Sequence, residues 1–375
     1  MTVDRFGTPA DEENILDFIN LVFSQSARPH HFDRLLPKVY AHPGYGPLHA
    51  LAVADGRIRG AVALLPLEVS LAGNPLRCGY IGSVSVHEKA RGEGHMKRLM
   101  AMQIESAKRQ GMDFMALGGR RQRYGYYGFE TVGGLLEFSV NADNVRHALA
   151  DADDSRITLR PIENEQDPAL SAIAELHGAQ LFFCVRNRER LLDILRSWEA
   201  QPFAVTDGAS VLGYLVAQGD TLFEMVLDDW SNLPAVIKAW MRGRKRGSVM
   251  APLWEKEEAD ALNAFCECCS TGDTEMLKVL NWPRVLQAAL NQKWVCQALA
   301  EGRRVLEIDG QRLAVTVDAE AGVTVEETAE EPDRTLDEKA AVSLFFTPYA
   351  ALTEMDPVLR SWLPLTLYIP MPDRF

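Results

Sequence analysis

The stretch from Tyr80 to Gly128 constrains the fold more than any other. Ile81 to Val86 is an apolar run of strand character, and Arg91, Gly92, Glu93 and Gly94 follow after a short linker. From about Gly94 to Gln110 the apolar residues Met96, Leu99, Met100, Ile104 and Ala107 recur at helical spacing, with Gly111 as a natural stop. Phe114 to Leu117 reads as a short buried strand. Strand, glycine turn, amphipathic helix and strand in this order specify an α/β unit. Glycines at such a turn leave backbone N–H groups free at the positive end of a helix, an anion site suited to a pyrophosphate. Arg91 and Lys97 add positive charge beside it. The commoner phosphate loops, G-x-x-x-x-G-K-[ST] and G-x-G-x-x-G, do not occur in this stretch. Taken alone, R-G-x-G before a helix also fits a glycine-rich connection that holds no ligand.

The rest of the first third alternates in the same way. Ala10 to Ser24 carries Ile15, Leu16, Phe18, Ile19, Val22 and Phe23 at helical spacing. Leu48–Ala54 and Ile58–Val69 read as strands joined by the Asp55-Gly56 hairpin turn, and a third apolar run spans Cys78–Val86. A partial repeat follows: the strand, Asp-Gly turn and glycine-containing strand of Leu51–Val62 read against Phe203–Leu215, with turn Asp207-Gly208. A helix over Leu233–Arg242 then stands where the Met96 helix stood, which favours a duplicated α/β unit. After Trp282 and Pro283 the pattern changes to a helix, Arg284–Leu299, then short strands Arg304–Asp309, Arg312–Val317 and Gly322–Glu327. Ala261–Cys269 is expected to be helix, and its Cys266/Cys269 spacing lacks the partners of a zinc site.

Charge is distributed unevenly along the 375 residues. Residues 1–135 hold 16 Lys and Arg against 13 Asp and Glu, residues 136–280 hold 14 against 24, and residues 281–375 hold 9 against 15. A mildly basic first third suits an anionic ligand, and the acidic remainder favours cationic partners over a nucleic-acid backbone. No run of about 18 apolar residues is present, so no membrane span is expected. The start lacks an apolar signal-like run, and the six cysteines are thinly spread. The expectation is a reduced, cytoplasmic protein.

The order strand, R-x-x-G-x, helix, strand, then Tyr124, Gly125, Tyr126, Tyr127, Gly128 and Phe129 resembles the GNAT acyl-CoA N-acyltransferases. Met96 departs from that family's small final residue, though a larger side chain there removes no backbone N–H. The whole chain is similar to the Eis-like branch, which has two GNAT domains and a sterol-carrier-protein-like domain. The implied architecture mixes α/β and α+β folds. It divides into residues 1–135 as a catalytic GNAT domain, 136–280 as a second GNAT-like domain without a cofactor motif, and 281–375 as a sterol-carrier-protein-like α+β domain delivering the C-terminus.

The resemblance implies acetyl-CoA as acyl donor and no metal. Backbone groups of Val84, Ser85 and Val86 would pair with the pantetheine arm. Arg91, Gly92, Glu93, Gly94, His95, Met96 and Lys97 would hold the pyrophosphate, with Gly119 lining the same cleft. Tyr124 stands where the branch carries its general acid, and a phenol is protonated at neutral pH yet close to a thiol in pKa. Tyr126 and Tyr127 are read as packing residues. The α-carboxylate of Phe375 stands where the branch carries its base. The run Leu365–Phe375 is too apolar for a disordered tail. The acceptor is expected to be a small-molecule or peptide amine, cationic in character, with no nucleic-acid or membrane partner, in a homo-oligomer. Long-acyl transfer, a non-catalytic lipid or small-molecule carrier, and a degenerate GNAT scaffold are the alternatives. A carrier requires an apolar cavity of several hundred Å3 in the last domain.

Overall fold

The computed structural model describes residues 2–25 and 29–375. The first unit contributes strands β1 (Thr2–Phe6), β2 (His49–Ala54), β3 (Arg57–Leu71), β4 (Asn74–Val86), β5 (Phe114–Leu117) and β6 (Glu130–Asn141). The middle of the chain contributes β7 (Thr158–Pro161), β8 (Phe182–Cys184), β9 (Gln201–Thr206), β10 (Val211–Gln218), β11 (Thr221–Leu227), β12 (Arg246–Pro252) and β13 (Cys268–Val279). The last part adds β14 (Gly302–Ile308), β15 (Gln311–Asp318), β16 (Gly322–Glu327) and β17 (Arg334–Leu336).

Hairpin chemistry sets the antiparallel meanders. Asp55 and Gly56 both take positive φ between β2 and β3, as do Ala72 and Gly73 between β3 and β4, and Asp309 and Gly310 between β14 and β15. The twist of two-residue turns with positive φ matches that of the strands they join. β4 and β5 run parallel and are connected by the helix His95–Arg109. β11 and β12 are likewise parallel, connected through the helix Leu233–Trp240. The repeated hairpin and helix pattern is thus a repeated three-dimensional unit.

The two halves exchange their last strands. β6 pairs with β12 of the second half, while β13 inserts beside β5 of the first. β6 and β13 pair antiparallel with each other at the join, which fuses both halves into one thirteen-stranded sheet. Cys268 and Cys269 lie in β13, and the neighbouring helix ends earlier, at Lys256–Asn263. The expected helix over 261–269 is therefore corrected, because pairing across to Ser139 and Phe138 overrides the local pattern.

The second sheet, in order β16-β15-β14-β17, packs against the helix Trp282–Cys296. That helix also lies on β3 and β4, so the last part closes one face of the large sheet. A single apolar core runs from Ile15 and Phe18 of the first helix through Trp282 and Phe345 to Leu367 and Phe375. After the helix Pro357–Trp362 the chain continues with Leu365, Leu367, Tyr368 and Ile369 buried. This segment brings residues 371–375 back to β4.

Candidate active site

β4 and β5 are in register only from Cys78 to Ile81 against Phe114 to Leu117. Beyond Ile81, β4 runs on to Val86 while β5 has ended, so the strands part and the edge of β4 on that side is left open. On its other side β4 carries a bulge. Ala61 faces Ser85 and Ala63 faces Gly82, so Ser83 and Val84 together oppose one residue of β3. Ser83 holds a positive φ of 49°, a strained position for a residue with a Cβ.

A hydrogen-bond chain holds this bulge. The Tyr40 hydroxyl lies 2.6 Å from Ser83 Oγ and 3.1 Å from His49 Nε2, while His49 Nδ1 donates to the Tyr45 carbonyl at 2.8 Å. The ring therefore accepts at Nε2, so the Tyr40 O–H points to it. Burial favours this neutral ring and lowers the His49 pKa to about 4.

Eight residues past the bulge, at Gly92, lies the glycine loop. Gly92 and Gly94 take φ of 88° and 77°, a region that disfavours side chains. Gly94 is the N-cap of the helix His95–Arg109, offers no side-chain acceptor, and no acidic residue sits in the first turn. Arg91, Gly92, Glu93, Gly94 and Lys97 are exposed. This open helix terminus is a ready anion site. The His95 side chain is buried instead, donating from Nε2 to Glu93 at 3.0 Å and accepting from Arg98 at Nδ1 at 2.8 Å. Met96 turns into the apolar cluster of Leu99 and Ile81, away from the loop's exposed face. Lys97 sits over the Tyr126 ring at 5.3 Å, and Tyr126 is 67 % exposed, so it is not the packing residue its neighbours suggested.

The second half has the same place in its βαβ unit but different chemistry. Asp228 and Asp229 follow β11, and the Asp229 side chain accepts from the Ser231 backbone N–H. Asp229 caps the short turn Trp230–Asn232 that leads into the helix Leu233–Trp240, and its carboxylate would repel a phosphate there.

Where β4 and β5 part, a cavity of about 410 Å3 opens. Gly82, Ser83 and Val84 of β4 form one wall, Tyr124 and Arg123 another, and Phe375 and Arg374 a third. Tyr124 is 7 % exposed. Its ring lies on Gly119, where an added Cβ would stand 2.4 Å from a ring carbon, so Gly119 makes room for the ring while Gly118 borders the cavity. Burial pushes the Tyr124 phenol up, and Arg123 draws it partly back, which keeps it protonated. The Phe375 ring lies on Gly82 in the same way.

Residues that sequence reasoning missed fasten the tail. The Lys38 Nζ donates to the carbonyls of Pro372 and Arg374, each at 2.5 Å. Burial lowers that amine to about 7. Arg186 forks to Glu224 and Asp373, all three buried, with closest approaches of 2.7 Å. Arg374 Nε meets Glu275 Oε1 at 2.9 Å, and Tyr80 donates to that same oxygen at 2.6 Å. Arg374 also lies over the Tyr368 ring at 5.4 Å. These pairs join residues far apart in the chain, so no local pattern announces them.

Comparison with known proteins bears on this geometry. Residues 5–132 match the family model described as an acetyltransferase (GNAT) domain. None of the curated proteins matches the chain. Among solved structures, a GCN5-related N-acetyltransferase from Kribbella flavida superposes with a TM-score of 0.72 at 17 % identity, covering 100 % of this chain and 98 % of its own. A probable N-acyltransferase from Enterococcus faecalis superposes at 0.71 and 14 % identity, with both chains fully covered. Eis1 from Mycobacterium abscessus superposes at 0.65 and 14 % identity, again with full coverage. Together the fold and the domain match define an acyltransferase. Residues 5–132 are a GNAT acetyltransferase domain, and that match supports acyl-CoA-dependent N-acetyl transfer in general. Among the described residues no helix is long and apolar enough to cross a membrane, and no cluster of three His, Cys, Asp or Glu is poised for a metal.

Proposed function

We propose that the protein transfers the acetyl group of acetyl-CoA directly to a primary amine, with Tyr124 as general acid and the α-carboxylate of Phe375 as base. The observation that carries this reading is that Tyr124 and Phe375, far apart in the chain, line one cavity against the open segment of β4. The pyrophosphate of the donor sits on the N–H groups after Gly92 and Gly94, with Arg91 and Lys97 beside it. The pantetheine arm pairs with Val84, Ser85 and Val86, and a backbone N–H there polarises the thioester carbonyl. The amine attacks that carbon, the C–S bond breaks, and Tyr124 protonates the departing thiolate. The proton lost by the amine passes to the carboxylate, directly or through water.

On this reading the chain divides into a catalytic unit over 1–135, a second GNAT-like unit over 136–280 that lacks a donor site, and a sterol-carrier-protein-like unit over 281–375 that delivers the tail. The protein is placed in the cytoplasm as a homo-oligomer. The acceptor arrives as an ammonium and so is cationic. The last unit serves the enzyme rather than carrying lipid. The cavity of about 500 Å3 there is bordered by Asp333, Arg334, Glu354 and Asp356, a poor lining for an apolar chain.

The test is acetyl-CoA turnover by thiol release, comparing the chain ending at Phe375 with a form carrying four added residues. The proposal predicts loss of amine-dependent turnover in the extended form with acetyl-CoA binding retained. Undiminished turnover in the extended form would remove the carboxylate from the mechanism.

A further inference from the structure

Resting on that reading of the cavity, we propose that its acceptor is a monoamine carried on an aromatic body, an arylalkylamine, rather than a polyamine or an aminoglycoside. Aromatic side chains contribute much of the lining, those of Phe23, Phe32, Tyr80, Trp198 and Phe375, with His30 beside them. Phe23 and Phe32 meet edge to face with centroids 5.0 Å apart, and Phe23 is only half-buried. Flat apolar walls of this kind pack an aryl ring and offer π-faces to a single ammonium.

Charge points the same way. Among the described residues lining the cavity, Glu275 is the one carboxylate side chain. It is already engaged by Tyr80 and Arg374. Two guanidinium groups, Arg123 and Arg374, also border the space. One nitrogen of Arg374, Nη2, is buried without a hydrogen-bond partner. A second or third ammonium on the acceptor would meet positive charge and no free carboxylate, and burying it unpaired is unfavourable. Of the acidic residues of 136–280, Glu275 alone among the described residues lines this cavity, and its charge is already met by Arg374. Glu224 of that region is spent on Arg186, and Asp228 and Asp229 lie at the helix terminus of the second half. A volume of about 410 Å3 holds an arylethylamine together with an acetyl group.

The experiment separates binding from turnover by using N,N-dimethylphenethylamine, a tertiary amine that yields no stable amide. Calorimetry in the presence of CoA is expected to give it an affinity at least roughly tenfold above that of spermidine or kanamycin, equivalent to one aromatic contact. Phe23→Ala is expected to remove about tenfold of that affinity while leaving CoA binding unchanged. Tighter binding of spermidine or kanamycin, no binding of the aryl probe, or an unchanged affinity in Phe23→Ala would each overturn the proposal. If the aryl probe binds but phenethylamine is not acetylated, the cavity's preference for an aryl amine stands and the acetyl-transfer reading fails.

Discussion

The ring of Phe375 rests on the backbone of Gly82, so closely that a Cβ at Gly82 would stand 2.6 Å from a ring carbon. The open segment of β4 and Phe375 are thereby fitted to one another. Gly82→Ala forces the ring off the strand. The expected result is a folded protein destabilised by about 1–3 kcal/mol, as for other overpacked positions. Amine-dependent turnover should fall by roughly tenfold or more, because a shift of about 1 Å at a reacting group is enough. Thermal melting and steady-state kinetics on this variant check both.

The glycine loop makes a separable prediction about the donor. In Gly94→Asp a carboxylate takes the N-cap position that is open in the native chain. On the proposed reading its negative charge stands at the phosphate site and repels the anion. KM for acetyl-CoA should rise about 10- to 100-fold with kcat little changed, a pattern that steady-state kinetics over donor concentration resolves.

Acid should weaken the bulge of β4 through His49. Its ring is neutral in the fold, with a pKa lowered from 6.5 to about 4 by burial. A lowered pKa means the unfolded chain binds more protons, so stability is complete above about 6.5 and is lost as the pH falls toward 4. The loss amounts to at most ~3 kcal/mol at pH 4 from this residue. Urea midpoints measured between pH 7 and pH 4 should fall less steeply in His49→Phe than in the native protein. An identical slope would show that His49 is not the group responsible.

Much of the site is visible in the sequence because its chemistry is local. The glycine turn at Arg91–Gly94, the helix behind it and Tyr124 all lie within one stretch, and hairpins such as Asp55-Gly56 are fixed by the conformations their residues prefer. The exchange of β6 and β13 is not visible. Its cause is pairing between strands more than a hundred residues apart, and the segment Cys266–Cys269 carries no alternation that marks it as strand. The clamps Lys38, Arg186, Glu224 and Glu275 are silent for the same reason. Each is an ordinary charged residue until the fold carries the tail to it. Charge summed over residues 136–280 does not locate individual groups: Glu224 is buried against Arg186, whereas Glu275 lines the cavity.

Arg186 is the most heavily committed of those clamps. Arg186→Met leaves Glu224 and Asp373 buried with neither retaining its guanidinium. Removing one member of such a group costs about 3–5 kcal/mol. The variant should melt well below the native protein, and acetyl transfer should be lost before the global transition as residues 371–375 detach. Intact turnover up to the melting temperature would argue against the tail's place in the site.

On the proposed mechanism Tyr124 gives its proton to the departing thiolate. This transfer is tested most directly by thiol release from acetyl-CoA at saturating amine in Tyr124→Phe, with donor affinity measured alongside. The account predicts a fall in kcat of roughly 10²- to 10⁴-fold at unchanged acetyl-CoA affinity, the range for loss of a general acid. A Tyr124→Phe enzyme that keeps native kcat would contradict it.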